Sequence, residues 1–311
     1  MTDLRTSPAA AGTRVLRCDV RAAGIAGVNA LAVEVFTPPG PRSGALVFCT
    51  PGGAMSRRYF DIVPGYSMAR HLAAAGHVVA TIDPPQTGES DAADDPYTLT
   101  PEVVARLHTI ALDAVIAGLD EPPASVIGLG HSAGALLTVL QQADATSFDA
   151  LVLLGFHATG LPDVLGPEEL AVANDATAAR RGLADLVRGR FGGATPAIGT
   201  ATNAGFAGRR LPPEVLAALG EAAAPLLGLV GLASMIPGYV GQELAEISAP
   251  VFLAVGDRDI TDPVATIVRD LPEAEVEAFT LTDSGHNHNL SENRVQLWDR
   301  IDAWVRRVVT T

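Results

Sequence analysis

The sequence predicts an α/β fold with a mainly parallel central sheet, and two observations support this prediction. Short apolar runs such as "ALVFCT" (45–50) and "APVFLAVG" (249–256) recur along the chain. Runs of this kind suit strands that are buried on both faces of a sheet. Segments with the apolar spacing of a helix lie between these runs, and strands that alternate with helices favour parallel pairing.

Both halves of the chain contribute elements to this pattern. In the first half, Gly76 ends one predicted helix and Thr100 caps the next. In the second half, Leu297, Ile301 and Trp304 belong to one apolar stripe of a terminal helix. The predicted strands cover 15–20, 31–36, 45–50, 77–83, 125–130, 148–155, 249–256 and 275–281. The predicted helices cover 66–75, 100–119, 133–142 and the carboxyl-terminal segment.

One long segment departs from the alternation of strands and helices. Residues 157–246 contain no convincing strand, and their helix-like stretches flank a loop-like segment, "GGATPAIGTATNAG" (192–205). We therefore predict a core formed by 1–156 and 247–311, with 157–246 inserted between two strands as a mostly helical cap.

Charge and hydropathy exclude several classes of function. The formal charge is −14, and the chain has neither a lysine nor an arginine-rich stretch. Such a chain is poorly suited to nucleic acid or to an anionic membrane surface. The most apolar stretch, 225–241, is shorter than ~20 residues and is interrupted by glycine and proline. We expect no nucleic-acid partner and no stable membrane insertion.

Cysteine usage and the amino terminus bear on the cellular compartment. Cys18 and Cys49 fall in strand-like segments and are too few for a disulfide scaffold. The first residues, "MTDLRTSPAAAGT", lack the apolar stretch of a signal peptide. We expect two buried free thiols and a cytoplasmic location. The abundance of Ala, Gly, Val and Pro, together with the missing lysine, is typical of a GC-rich bacterial genome.

The segment "VIGLGHSAGALL" (126–137) contains the strongest candidate for a nucleophile. Gly130, Ser132 and Gly134 fit the pattern G-x-S-x-G, directly after a buried strand and at the start of a helix. Small residues on both sides allow a tight turn that exposes the hydroxyl of Ser132. The amide of Ala133, at the helix start, then faces any negative charge that develops there.

A serine hydroxyl needs a base, and the base needs an acidic partner. His286 follows the last predicted strand, while His288, His131 and His157 are the other candidates for the base. The segment "VFLAVGDRDITDP" (251–263) supplies three candidates for the acid after a buried strand. These are Asp257, Asp259 and Asp262. All of these groups follow strands, and sites of α/β sheets lie at the carboxyl ends of strands.

These motifs, in the order Ser, Asp, His, resemble those of the α/β-hydrolase fold superfamily, and the resemblance covers 13–309. It implies an α/β-hydrolase fold with a cap at 157–246. Ser132 takes the place of the nucleophile, and Asp259 takes the acid position of the family's G-x-x-D. His286 occupies the G-H position near the carboxyl terminus. The segment "DPPQTGES" (83–90) resembles the family's D-x-P-G-x-G-x-S, with Gln86 where glycine is common.

The loop that would bind the oxyanion departs from the family pattern. The family often has His-Gly after the third strand, whereas this chain has Pro51, Gly52 and Gly53. Only a backbone donor is needed there, so the amide of Gly53, together with that of Ala133, is predicted to form the oxyanion hole.

The resemblance and the serine together define the expected reaction. Relatives that act on haloalkanes or epoxides carry aspartate at the nucleophile position, so those reactions are disfavoured. Hydrolysis of an ester, thioester or lactone through an acyl-serine is the expected activity. C–C bond hydrolysis of a diketone and a non-catalytic binding role are the alternatives. The resemblance implies neither a metal nor an organic cofactor.

The second half of the predicted cap bears on the substrate. Residues 222–240 are almost uncharged, which favours an apolar acyl or ring system or, equally, packing of the cap onto the core. We expect His157, Leu229, Met235 and Tyr239 to contact a small to medium apolar substrate. The sequence does not determine the oligomeric state.

Overall fold

In the computed structural model, residues 12–309 are described. They form one eight-stranded sheet with helices on both of its faces. Most of the amino-terminal segment in which we predicted no signal peptide, residues 1–11, lies outside the described residues. The strands are β1 (Gly12–Asp19), β2 (Ala30–Thr37), β3 (Ala45–Thr50), β4 (Val78–Ile82), β5 (Ser125–His131), β6 (Ala150–Leu154), β7 (Val251–Gly256) and β8 (Val276–Leu281).

Eleven helices are assigned within the described residues. The helices are α1 (Met68–Ala74), α2 (Pro101–Ala117), α3 (Ala133–Ala145), α4 (Pro167–Leu170), α5 (Ala176–Phe191), α6 (Thr200–Gly205), α7 (Pro213–Ala222), α8 (Gly228–Ala233), α9 (Gly241–Ala245), α10 (Val264–Ile267) and α11 (Arg294–Val309). The segment 192–205, expected to be a loop throughout, contains α6. None of these helices is both long enough and apolar enough to span a membrane.

The strand order is β1-β2-β4-β3-β5-β6-β7-β8. Strands β3 to β8 pair in parallel, whereas β2 runs antiparallel to both β1 and β4. This sheet confirms the predicted α/β fold. Because the parallel strands end at one edge, the loops after β3, β5, β7 and β8 meet there.

Two apolar clusters cover the two faces of the sheet. Leu46 and Phe48 of β3 belong to the cluster that includes α2 and α3. Val47 and Cys49 of the same strand belong to the cluster that includes α1 and α11. This alternation follows from the period-two geometry of a strand that is buried on both faces. Cys18 and Cys49 are buried free thiols, as expected, and burial raises the pKa of Cys18 to about 11.

The segment between β6 and β7 contains α4 to α9, and within the described residues its one β contact is an isolated bridge between Met55 and Ala223. This bridge joins the segment to the loop after β3. The amide of Ala224 also donates to the carbonyl of Ala54 at 2.9 Å. The helical segment is therefore attached directly to the loop that contains Gly53.

Candidate active site

Ser132 lies at a sharp turn between β5 and α3. Its backbone has φ 54° and ψ −124°, a conformation that costs a non-glycine residue of the order of 1–3 kcal/mol. The turn is held on both sides, because the amide of Ser132 donates to the carbonyl of Leu154 at 2.8 Å and its own carbonyl accepts from Ala135 at 2.8 Å. This is the geometry of a nucleophile elbow.

The two glycines of the motif are required by close backbone approach. A Cβ at Gly130 would lie 2.4 Å from the Cα of Ala135, and one at Gly134 would lie 2.3 Å from the carbonyl oxygen of Thr50. Both distances are far below van der Waals contact, and neither neighbour is a mobile side chain. The glycines let α3 begin directly against β3 and β5.

Asp259 and His286 meet beside Ser132. The Nδ1 of His286 donates to Oδ1 of Asp259 at 2.6 Å, and the side chain of Asp259 is only 1 % exposed. Backbone amides of Gly256 and Ile260 also donate to this carboxylate, at 3.1 and 2.7 Å. These contacts fix the carboxylate and hence the ring of His286.

A second imidazole binds the same carboxylate. The Nε2 of His288 donates to Oδ2 of Asp259 at 2.8 Å. Burial alone would raise the pKa of Asp259, but hydrogen bonds from His286 and His288 outweigh it and hold that pKa well below its ordinary value. Asp259 is therefore ionised across the pH range in which proteins are usually studied.

His131 packs into the same cluster without touching the carboxylate. Its ring stacks on Tyr59 with centroids 5.0 Å apart, and its Nε2 donates to the backbone carbonyl of His286 at 2.8 Å. Burial, and then the neighbouring His286 and His288, lower the pKa of His131 well below its ordinary value. A neutral His131 thus supports the backbone of the His286 loop.

The two other candidate acids lie in different surroundings. Asp257 accepts from the backbone amides of Asp283 and Ser284, at 2.9 and 3.0 Å, and so ties the loop after β7 to the loop after β8. Asp262 accepts from Thr159 and lies 3.4 Å from Nδ1 of His157. Of the three aspartates, only Asp259 has a hydrogen bond to His286 among the described contacts.

Gly53 lies opposite the start of α3. A Cβ at Gly53 would be 3.8 Å from the Cβ of Ala133 and 2.8 Å from a methyl of Leu226. Within residues 12–309, the amides of Gly53 and Ala133 have no protein acceptor. Gly53 and Ala133 therefore line the same cavity as Ser132 with backbone amides that have no protein acceptor among the described residues.

A buried carboxylate holds the loop that follows Gly53. Asp83 accepts from the amide and the guanidinium of Arg57 and from the amide of Glu89. Gln86, at the position where the family commonly has glycine, takes φ 69°. Gln86 therefore adopts a left-handed backbone conformation that glycine takes more readily.

A cavity of about 260 Å³ opens at Ser132. Its lining includes Met235, one of the predicted substrate contacts, and Arg190, which is paired with Glu169 at 2.7 Å and is the one formally charged side chain among the described residues of the lining. The other residues of the lining are Gly52, Gly53, Ala54, Met55, His131, Ser132, Ala133, Leu161, Phe191, Ile198, Thr202, Phe206, Leu226, Gly231, Ser234, Ile260, His286 and Asn287.

Three of the four expected substrate contacts are not part of this lining, namely Leu229, Tyr239 and His157, although His157 lines a smaller cavity that also includes Ser132. Leu229 is buried in the apolar cluster that includes Val187 of α5. Tyr239 donates from its hydroxyl to Glu102 at 3.1 Å and lies under the guanidinium of Arg180. The assignment of Leu229 and Tyr239 to the pocket is therefore corrected, because both side chains pack α8 and the following turn onto the core.

Sequence reasoning missed several residues of this region. Thr159 and Thr261 lie near His157 and Asp262, and Phe191 and Phe206 contribute aromatic walls. No local motif identifies them, since their positions depend on how the helical segment returns to the sheet. Within the part of the chain that the structure describes, no cluster of three or more His, Cys, Asp or Glu side chains is arranged to hold a metal ion.

Comparisons with known proteins agree with this architecture. Solved structures with similar folds include a thermophilic esterase from Thermogutta terrifontis, with a TM-score of 0.60 and 17% identity over 95% of this chain and 99% of the other. A lipase in an open form gives 0.64 and 20% over 96% and 100%, and the Paleococcus ferrophilus monoacylglycerol lipase gives 0.64 and 19% over 89% and 99%. At these identities the likeness shows the fold. No curated protein sequence matches significantly.

A family model supplies the sequence-level relationship. The model described as the alpha/beta hydrolase family matches residues 46–299, which include β4 to β8, all but the first residue of β3 and all the candidate site residues described above. The match, the strand order and the elbow at Ser132 agree with one another. The chain belongs to the alpha/beta hydrolase family.

Proposed function

We propose that this protein is a serine hydrolase that cleaves a carboxylic ester, or a related thioester or lactone, through an acyl-serine intermediate. One observation carries the proposal. Ser132, on a strained strand-to-helix turn, lines the same cavity as His286, whose Nδ1 is bound by the buried carboxylate of Asp259 at 2.6 Å.

The proposed reaction begins with attack of Ser132 Oγ on the acyl carbon. Nε2 of His286 accepts the hydroxyl proton, and Asp259 stabilises the resulting imidazolium through Nδ1. His286 then gives the proton to the leaving oxygen as the C–O bond breaks. In the second half, His286 takes a proton from water, the hydroxide attacks the acyl-serine, and Ser132 regains its proton as the acid product leaves.

The proposed oxyanion hole consists of the backbone amides of Gly53 and Ala133. Both lie beside Ser132 and have no protein acceptor among the described residues. They would donate to the carbonyl oxygen as it gains negative charge, and donors that are already oriented lower the barrier without reorganisation. No side chain at position 52 or 53 is needed for this role.

The part of the proposed substrate that enters the cavity at Ser132 is apolar. In this proposal, 157–246 acts as a cap over Ser132. Leu226 and Met235 of this segment line the cavity with Phe191 and Phe206. Each methylene buried against such a wall contributes about 0.8 kcal/mol, or about fourfold in affinity. We therefore expect kcat/KM to rise with acyl length until the cavity of about 260 Å³ is full.

A single series of measurements tests the proposal. Ser132→Ala should lower kcat for short and medium esters by at least about 10³-fold and abolish labelling by a fluorophosphonate. Ser147→Ala, two residues beyond the carboxyl end of α3, is the matched control and should retain both activity and labelling. Turnover near the wild-type level in a folded Ser132→Ala protein would contradict the proposal.

A further inference from the structure

A second, much smaller cavity adjoins the nucleophile. Its volume is about 30 Å³, above the roughly 10–15 Å³ that a cavity needs to hold one water molecule. Five of its lining residues also line the larger cavity. These shared residues are Ser132, Leu161, Ser234, Ile260 and His286. The others are Gly155, Phe156, His157 and Thr261. A group placed in this small cavity would lie beside the reacting carbonyl.

His157 lines this small cavity and is oriented by two neighbours. Its side chain is 7 % exposed, and Nδ1 lies 2.7 Å from the hydroxyl of Thr159. The same hydroxyl lies 2.5 Å from Oδ2 of Asp262. An ionised carboxylate only accepts, so Thr159 donates to Asp262 and accepts from Nδ1 of His157. The amide of Asp262 also points at Nδ1, but at 3.4 Å this contact is much longer than the 2.7 Å contact with Thr159, which therefore decides where the proton lies.

The position of the ring proton determines whether Nε2 of His157 donates or accepts a hydrogen bond. In the neutral ring, a protonated Nδ1 leaves Nε2 as an acceptor. Among the described residues, Nε2 of His157 has no protein partner. His157 thus presents an unused hydrogen-bond acceptor from a side chain that is more than nine-tenths buried.

Thr261 supplies a second unused polar atom. Its buried Oγ1 has no hydrogen-bond partner among the described residues, although Thr261 lines the same small cavity. A threonine hydroxyl can donate as well as accept. Buried polar atoms without a partner are uncommon in folded proteins and point to a bound group or water.

A hydroxyl can satisfy both atoms, because it donates to Nε2 of His157 and accepts from Oγ1 of Thr261. A keto oxygen lacks the donor that Nε2 needs. An ammonium group could donate to both atoms, but among the described residues no carboxylate lines either cavity to balance its charge. The small cavity, of about 30 Å³, has room for a hydroxyl.

We infer that the pocket formed by His157 and Thr261 binds a hydroxyl group of the substrate close to the scissile carbonyl. This inference rests on the proposed serine-hydrolase function and narrows its substrates to hydroxylated esters. The hydroxyl belongs either to the acyl part, as in a 2-hydroxyacyl ester, or to the alcohol part, as in a 2-hydroxyethyl ester. Both present the same chemistry to the pocket.

Three matched substrates test the inference: ethyl butanoate, ethyl 2-hydroxybutanoate and 2-hydroxyethyl butanoate. The measured quantity is kcat/KM of each hydroxylated ester divided by that of ethyl butanoate. The three esters differ in intrinsic reactivity. This difference cancels when the ratio of a variant is compared with the ratio of the wild-type protein. His157→Phe keeps a flat ring without nitrogen, and Thr261→Val keeps the shape without the hydroxyl. Each should lower the ratio for one of the two hydroxylated esters by about three- to tenfold.

A matched control uses another histidine–aspartate pair. His71 binds Asp299 at 2.8 Å on α1, and neither residue lines either cavity. His71→Phe should leave both ratios unchanged. If neither ratio changes in His157→Phe and Thr261→Val while ethyl butanoate is still hydrolysed, the pocket holds only water and the inference is wrong. If the wild-type protein hydrolyses none of the three esters, the proposed serine-hydrolase function is itself contradicted, and the inference that rests on it is wrong as well.

Discussion

Two histidine–aspartate arrangements lie side by side at the carboxyl edge of the sheet. They differ in the burial of the carboxylate and in its distance from the histidine. Asp259 is 1 % exposed and contacts His286 directly at 2.6 Å. Asp262, three residues later, is 40 % exposed and lies 3.4 Å from His157, with Thr159 between them. The same two residue types therefore have different roles in the two arrangements.

The difference follows from burial and from the number of donors around each carboxylate. Asp259 accepts from His286, from His288 and from backbone amides after β7, which hold it ionised in a dry environment. Asp262 reaches solvent, and its strongest contact is the hydroxyl of Thr159. A buried, fully bonded carboxylate stabilises charge on its histidine, whereas an exposed one only orients its partner.

The largest expected effect comes from Asp259. Asp259→Asn places an amide against Nδ1 of His286, favours the wrong tautomer and removes the charge that stabilises the imidazolium. We expect kcat for a simple ester to fall by about 10³- to 10⁴-fold. Asp257→Asn, measured in parallel by the same ester assay, should lose far less because Asp257 binds backbone amides. Equal losses in the two variants would contradict the assignment of Asp259.

An intermediate effect is expected from His288. The hydrogen bond from His288 helps to hold the pKa of Asp259 low, so its removal makes the carboxylate more basic and better able to stabilise an imidazolium at His286. In His288→Leu the acidic limb of the pH profile of kcat/KM should therefore move to higher pH, by about half a unit to one unit.

The matched variant separates this electrostatic role from packing. His288→Gln places an amide donor near the position of Nε2 and should keep the acidic limb close to that of the wild type. A pH profile that is the same in His288→Leu as in the wild type would show that the second imidazole only fills space.

The smallest effect is expected from Asp262. Asp262→Asn keeps a partner for Thr159 and removes only an exposed charge, so kcat for ethyl butanoate should change by less than about threefold. The measurement is the same ester assay used for Asp259→Asn. A loss approaching that of Asp259→Asn would mean that the two arrangements are equivalent, which would overturn the comparison.

The sequence predicts the parts of the site that depend on strand ends. The elbow at Ser132 follows from small residues between a buried strand and a helix, and the loops of Asp259 and His286 follow β7 and β8. Parallel strands bring such loops to one edge whatever the details of packing. The predicted α/β sheet is confirmed for this reason.

The side chains of the helical segment could not be predicted in the same way. Leu229 and Met235 lie in one uncharged stretch, yet Met235 lines the cavity and Leu229 packs against α5. An apolar residue satisfies a cavity wall and a core equally well, because burial is not directional. Only the path of α8 across the sheet decides which side chain faces Ser132.

By itself the sequence determined the fold class, the elbow and the strand ends that carry Asp259 and His286, because periodicity and turn chemistry are local. The tertiary structure alone decided that Asp259 is shared by His286 and His288 and that Asp262 reaches His157 through Thr159. Contacts between residues far apart in the chain depend on how loops approach one another, and no spacing in the sequence specifies that approach.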